Sequence, residues 1–158
     1  MTAAGRQRGI SLVELVITLV LVGILAAVGA SRFFGTRTYD ERGFAGRMVS
    51  ALRYAQKEAI ASRCDVDVSI DSGADSYALA YAGTGPGGCS AQPVSQPWDG
   101  QPYAASAPVG VDVQSPVATL TYEPLGNATG ISGSASIKVG RFTVEIQAES
   151  GIAYVSGW

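Results

Sequence analysis

The chain has 158 residues, 47% hydrophobic and 15% charged, with a net charge of −2 and no histidine. That charge leaves no global basic field to gather a polyanion, and the missing histidine removes the commonest general base and metal ligand. Roughly 120–130 residues follow an N-terminal apolar run, enough for one modest core.

Arg6 and Arg8 precede Gly9, and from Ile10 to Ala30 the only charge is Glu14. As a helix this run spans roughly 30 Å, the thickness of a bilayer's hydrocarbon core. The basic residues ahead of it place the N-terminus in the cytoplasm and the remainder outside. A carboxylate at the centre of such a run costs about 2.5–3.5 kcal/mol, less near its end, so Glu14 calls for a partner. Two simpler readings compete. An ordinary secretory signal, cut at Val28-Gly29-Ala30, has only ~7–15 apolar residues. A plain membrane anchor explains the length but neither Gly9 nor Glu14.

The basic leader, Gly9, Ile10 and a glutamate at the fifth position from Ile10 together resemble the type IV pilin and type II secretion pseudopilin family. The resemblance implies that residues 1–9 are a leader peptide, cut after Gly9 by a prepilin peptidase that also methylates the new N-terminus at Ile10. It implies that residues 10–30 form a transmembrane and assembly helix, with Glu14 meeting the positive N-terminus of a neighbouring subunit. Residues 31–158 would then be the periplasmic domain of a single-pass inner-membrane protein. Ile10 stands where Phe is commoner, and Ser31 where many relatives carry a kinking Pro.

After the apolar run, Arg32, Phe33 and Phe34 suit the outer headgroup region. Thr38-Tyr39-Asp40-Glu41 has the form of a capping box. Phe44, Met48, Leu52, Ala55 and Ala59 recur at helical spacing, which predicts an amphipathic helix ending near Ser62. Gly35 and the Thr38 cap mark the place for a bend or restart in an otherwise uninterrupted helical stretch.

Beyond Cys64 the period becomes two. Val66, Val68 and Ile70 alternate with polar residues, and after the turn at 71–76 the stretch 77–81 returns as the second strand of a hairpin. Gly83 to Pro108 reads as a long surface loop pinned by Cys89. Its Trp98 and Tyr103 are either a satellite cluster folded back on the sheet or an exposed contact. Short strands are expected at 109–113, 119–122, 136–139, 142–147 and 152–155, with Gly140-Arg141 as a two-residue hairpin turn.

Cys64 and Cys89, outside the cytoplasm, are most simply a disulfide, with two separate buried thiols as the alternative. Their spacing fits no zinc site. A long helix followed by mostly antiparallel strands predicts an α+β domain with the helix laid across one sheet face. The stretches 50–59 and 144–151 also resemble the GspH/FimT subgroup of minor pilins and pseudopilins, which implies two small sheets.

Catalytic residues are not expected, nor a cofactor. Asp65, Asp67, Asp71 and Asp75 read as solvated acids rather than a Ca²⁺ loop. The glycines from Gly83 to Gly88 lack the Lys-Ser/Thr of a phosphate loop. The resemblance implies a subunit at or near the tip of a type II secretion pseudopilus or type IV pilus. Its partners would be prepilin peptidase, other major and minor pilins or pseudopilins, and the inner-membrane assembly platform. The alternative is a tip binding module, an adhesin or DNA-uptake subunit. Trp98, Tyr103, Lys138 and Arg141 are its candidate ligand contacts, although two cations at one hairpin are thin support for nucleic acid. A tethered enzyme is the third reading.

Overall fold

The computed structural model describes the backbone at residues 11–33 and 36–157, and side chains at 11–26 and 37–157. Gly9 and Ile10, the expected processing site, lie outside the described residues, as do Phe34, Gly35 and the side chains of Arg32 and Phe33. The chain divides into two compact units, up to Thr36 and from Arg37 onward. Helix α1 (Leu12–Phe33) makes up the first. Among the described residues no helix is long and apolar enough to cross a membrane. The described side chains of α1 end at Ala26, about 22 Å along the axis from Leu12, and the sequence continues without a charge to Ala30.

The second unit is built on helix α2 (Thr36–Ser62). Phe44, Leu52, Ala55 and Ala59 are fully buried and Met48 almost so, the stripe that the spacing predicts. Arg63 ends the helix in the left-handed region at φ 58°. There the Ser62 hydroxyl accepts the Cys64 N–H at 3.2 Å. The expected capping box does not form. Because α2 already starts at Thr36, Thr38 lies within the helix. The carboxylate of Glu41 turns away from the helix backbone to the Arg141 Nε, 3.1 Å off, a charged donor that no helix N–H can match.

Two antiparallel sheets pack with α2 around one core. The larger contains β1 (Val66–Asp71), β2 (Ser76–Tyr81), β3 (Gln92–Pro93), β4 (Ala104–Ser106), β6 (Thr119–Tyr122) and β7 (Ala128–Thr129). Its order is β3-β2-β1-β6-β7, with β4 also on β2. The smaller runs β10-β9-β8-β5, from β5 (Val113–Gln114), β8 (Ser134–Val139), β9 (Phe142–Gln147) and β10 (Ala153–Ser156). Burial alternates along β1, β8 and β9, so one face of each is core. Val66, Val68, Leu79 and Leu120 of the first sheet join Ile137, Val144 and Ile146 of the second in one cluster with α2. Burying each such side chain contributes about 1.5–3 kcal/mol.

The α+β architecture is the expected one, with the helix on two small sheets as the resemblance implies. Two expectations are corrected. Residues 83–108 are not wholly a loop: Pro93 pairs with Ala80, and residues 104–106 with residues 76–78, so the stretch is an excursion hydrogen-bonded to the edge of β2. Of the strand expected at 109–113 only Val113 pairs, against Val139, and the pairing continues with Gln114 against Lys138. Val111 is buried there without a ladder.

Gln56 ties the sheets together. Its Nε2 donates to the Gly126 carbonyl at 2.7 Å and the Ser150 carbonyl at 2.8 Å, joining the turn after β6 to the turn before β10. The Tyr122 hydroxyl donates to Gly151 O at 3.2 Å in the same place. Gly151 has φ 64°, and a Cβ there would strike the Gly126 carbonyl.

Candidate functional site

Glu14 lies in the first turn of α1, where the helix dipole favours a negative charge. It is exposed and has no partner among the described residues. Around it, the large apolar side chains from Leu12 to Leu25 are each at least 49% exposed. A helix apolar on every side has no face suited to water. Lipid or other helices must cover it.

The second site lies on the excursion from β2. Tyr103 stacks on Tyr54 of α2 with ring centroids 4.9 Å apart, and Trp98 meets Tyr103 edge-on at 5.8 Å. Tyr103 folds back on the core, whereas Trp98 remains 67% exposed. Between them and α2 is a cleft of about 500 Å³, lined by Arg47, Ser50, Tyr77, Gln96 and Ala104 besides the two rings. Burial, and Tyr103 beside it, push the Tyr77 hydroxyl up to about 12, while Arg47 pulls the other way. Burial raises Tyr103 as well. Arg47 and Ser50 escape a sequence reading because they sit on the polar side of an amphipathic helix, where such residues are the rule.

Lys138 and Arg141 do not line this cleft. They stand at the β8–β9 hairpin, where Val139 pairs with Phe142 across Gly140-Arg141. Gly140 takes φ 57°, as the predicted turn requires. Arg141 is bound to Glu41 through both its Nε and its backbone N–H. The four aspartates are each engaged locally. Asp65 accepts Thr84 Oγ1 and Asp67 accepts Thr121 Oγ1, both at 2.6 Å. Asp71 accepts the N–H groups of Gly73 and Ala74, and Asp75 that of Val113. Among the described residues no acidic or cysteine cluster is arranged to hold a metal. Cys64 and Cys89 form a disulfide, with their Cα atoms 5.7 Å apart.

An apolar helix bearing one early glutamate, followed by a helix on two small antiparallel sheets, defines a pilin-like subunit. Residues 5–30 match the prokaryotic N-terminal methylation motif. Residues 45–156 match the type II transport protein GspH model, and the chain belongs to that family. Members of the family are structural subunits of minor pseudopilin and pilin type, not enzymes. No curated protein sequence matches the chain. Among solved structures it is similar to the minor pseudopilin EpsH of the Vibrio cholerae type II secretion system, at 16% identity and a TM-score of 0.56. That match covers 75% of this chain and 94% of the other. It is also similar to the type IV minor pilin FimU of Pseudomonas aeruginosa, at 12% identity and a TM-score of 0.51, over 73% of this chain and 91% of that one. At such identities the likeness is one of fold.

Proposed function

We propose that this chain is a minor pilin or pseudopilin precursor whose leader, residues 1–9, is removed by prepilin peptidase. The new N-terminus at Ile10 is then methylated, and residues 10–30 hold the subunit in the inner membrane with residues 31–158 in the periplasm. The carrying observation is that a methylation motif and a GspH-type domain occur in one chain, at residues 5–30 and 45–156. The exposed apolar surface of α1 supports it, because lipid before assembly and neighbouring pilin helices afterwards would both cover that surface. Glu14 meets the charged N-terminus of a neighbour in the assembled fibre. Its pairing fixes register more than it adds stability, since buried ion pairs barely repay their desolvation. The subunit enters a type II secretion pseudopilus or type IV pilus at or near the tip, through the inner-membrane assembly platform.

Mass spectrometry of the mature protein should find methylated Ile10 at the N-terminus. A mature N-terminus at Ser31 would overturn this reading in favour of an ordinary secretory signal.

One observation favours a second reading, a tip binding module. Trp98 is a large indole left in water beside a cleft, which a purely structural subunit does not require.

A further inference from the structure

We infer that the Trp98 cleft binds an acidic saccharide, a sugar ring stacked on the indole with its carboxylate held by Arg47. This inference rests on the binding-module reading and supplies its ligand class.

Trp98 is not exposed for want of order around it. It stands on a closed hairpin tip, where Gln96 N–H donates to Gln101 O at 2.7 Å and Gly100 N–H to Gln96 O at 3.0 Å. The Asp99 carboxylate accepts Gln101 N–H, and Gln96 Nε2 donates to Pro102 O, both at 3.0 Å. Below the tip, Ser95 and Pro102 form a bridge. The ring of Tyr103, itself stacked on Tyr54, braces the indole. So braced, it can meet a flat ligand without losing further conformational freedom. An aromatic side chain has about 150–250 Å² to bury, and this one keeps most of its surface in water.

The polar groups around the cleft are selective. Arg47 is exposed, and among the described residues no carboxylate lies within ion-pair range of it. A planar guanidinium in that state matches a carboxylate with two parallel bonds. Gln96 spends one of its two amide N–H donors on Pro102 O and keeps the other, with its oxygen as an acceptor. Ser50 gives its proton to Gly46 O at 2.9 Å, which likewise leaves its oxygen to accept. Two acceptor oxygens, the remaining Gln96 N–H and the Arg47 guanidinium are complementary to a ligand with hydroxyl groups and a carboxylate. The volume of about 500 Å³ falls in the range of small-ligand sites.

The test uses the full-length chain in detergent with Trp158 replaced by Phe, which leaves Trp98 as the sole tryptophan. Titrating with oligogalacturonate should shift its emission to the blue in a saturable way, with Kd on the order of 1 mM or tighter. Neutral oligogalactoside of equal length should bind at least about tenfold more weakly, one power of ten in Kd. Arg47→Gln should weaken oligogalacturonate binding by a similar factor, and Trp98→Ala, followed by calorimetry, should abolish it with the melting curve unchanged. The proposal is overturned by no saturable response to the uronate, by equal binding of the neutral sugar, or by unchanged binding in Arg47→Gln. Should Trp98→Ala cells keep their fibres and lose surface attachment while the uronate fails to bind, the binding-module reading stands and the acidic saccharide is refuted.

Discussion

Replacing Gly140 by alanine should destabilise the domain by about 2–3 kcal/mol, in two separable parts. The first is conformational: at φ 57° an L-residue pays about 1–2 kcal/mol. The second is steric and electrostatic. A Cβ at this position would lie 2.6 Å from Glu41 Cγ and 2.8 Å from its Oε1, so the carboxylate must swing away. Glu41 then loses the Arg141 Nε at 3.1 Å and the Arg141 N–H at 3.4 Å. Because the Arg141 side chain is 66% exposed, that loss belongs at the weak end for charged contacts, about 1 kcal/mol. Thermal melts of the full-length protein by circular dichroism should show Gly140→Ala lowered by roughly 10 °C. The decisive measurement is a double-mutant cycle with Glu41→Ala. Once the carboxylate is gone, Gly140→Ala should cost only its conformational part, leaving a coupling of about 1 kcal/mol. A cycle additive to within ~0.3 kcal/mol would refute the argument that Glu41 and Gly140 answer to each other.

Other consequences can be checked independently. Cys64→Ser with Cys89→Ser releases a loop with a sequence separation of 25, for which chain entropy gives about 3.5 kcal/mol. A loss of 2–3.5 kcal/mol is expected, about that range, and an unchanged melting temperature would contradict it. Alkaline stability should fall as pH rises from about 10 toward 12. Burial raises the hydroxyls of Tyr77 and Tyr81 to about 12, so the folded state holds protons there that the unfolded chain releases from pH 10 upward. Melts across that window should be flatter for Tyr77→Phe, and a profile identical to the parent would count against burial as the cause. Glu14→Ala should insert and be cleaved normally yet accumulate as mature protein in the inner membrane with fewer fibres formed. Normal fibre numbers would remove Glu14 from assembly.

Much of the fold was legible because periodicity was strong where packing was strong. The stripe from Phe44 to Ala59 and the alternation at 66–70 and 142–147 reported the core directly. Gly140 announced its hairpin through the one residue type that accepts the turn. Legibility failed where pairing is short and side chains carry no alternating signal. Strands of two or three residues such as Gln92–Pro93 and Ala104–Ser106 are held by an existing edge, not by their own propensity. The false capping box arose because local rules see Glu41 near Thr38 and cannot see Arg141, a hundred positions away. For the candidate site, Trp98 and Tyr103 stood out by composition. Arg47 and Ser50 meet them only through the packing of α2 beside the excursion.

The way the Trp98 hairpin is attached bears on how this molecule can change. Its base is fixed twice, by the Cys64–Cys89 bridge and by pairing with β2. Its tip, from Gln96 to Gln101, closes on its own backbone bonds. A six-residue stretch of this kind, roughly two turns' worth of chain, can be exchanged or lengthened at a loop-closure cost that grows only slowly with size. The fold thus keeps one part under the strict requirements of core packing and another open to drift. Under the proposed binding role, a new ligand asks for a rewritten tip only, while the core and α1 stay as they are.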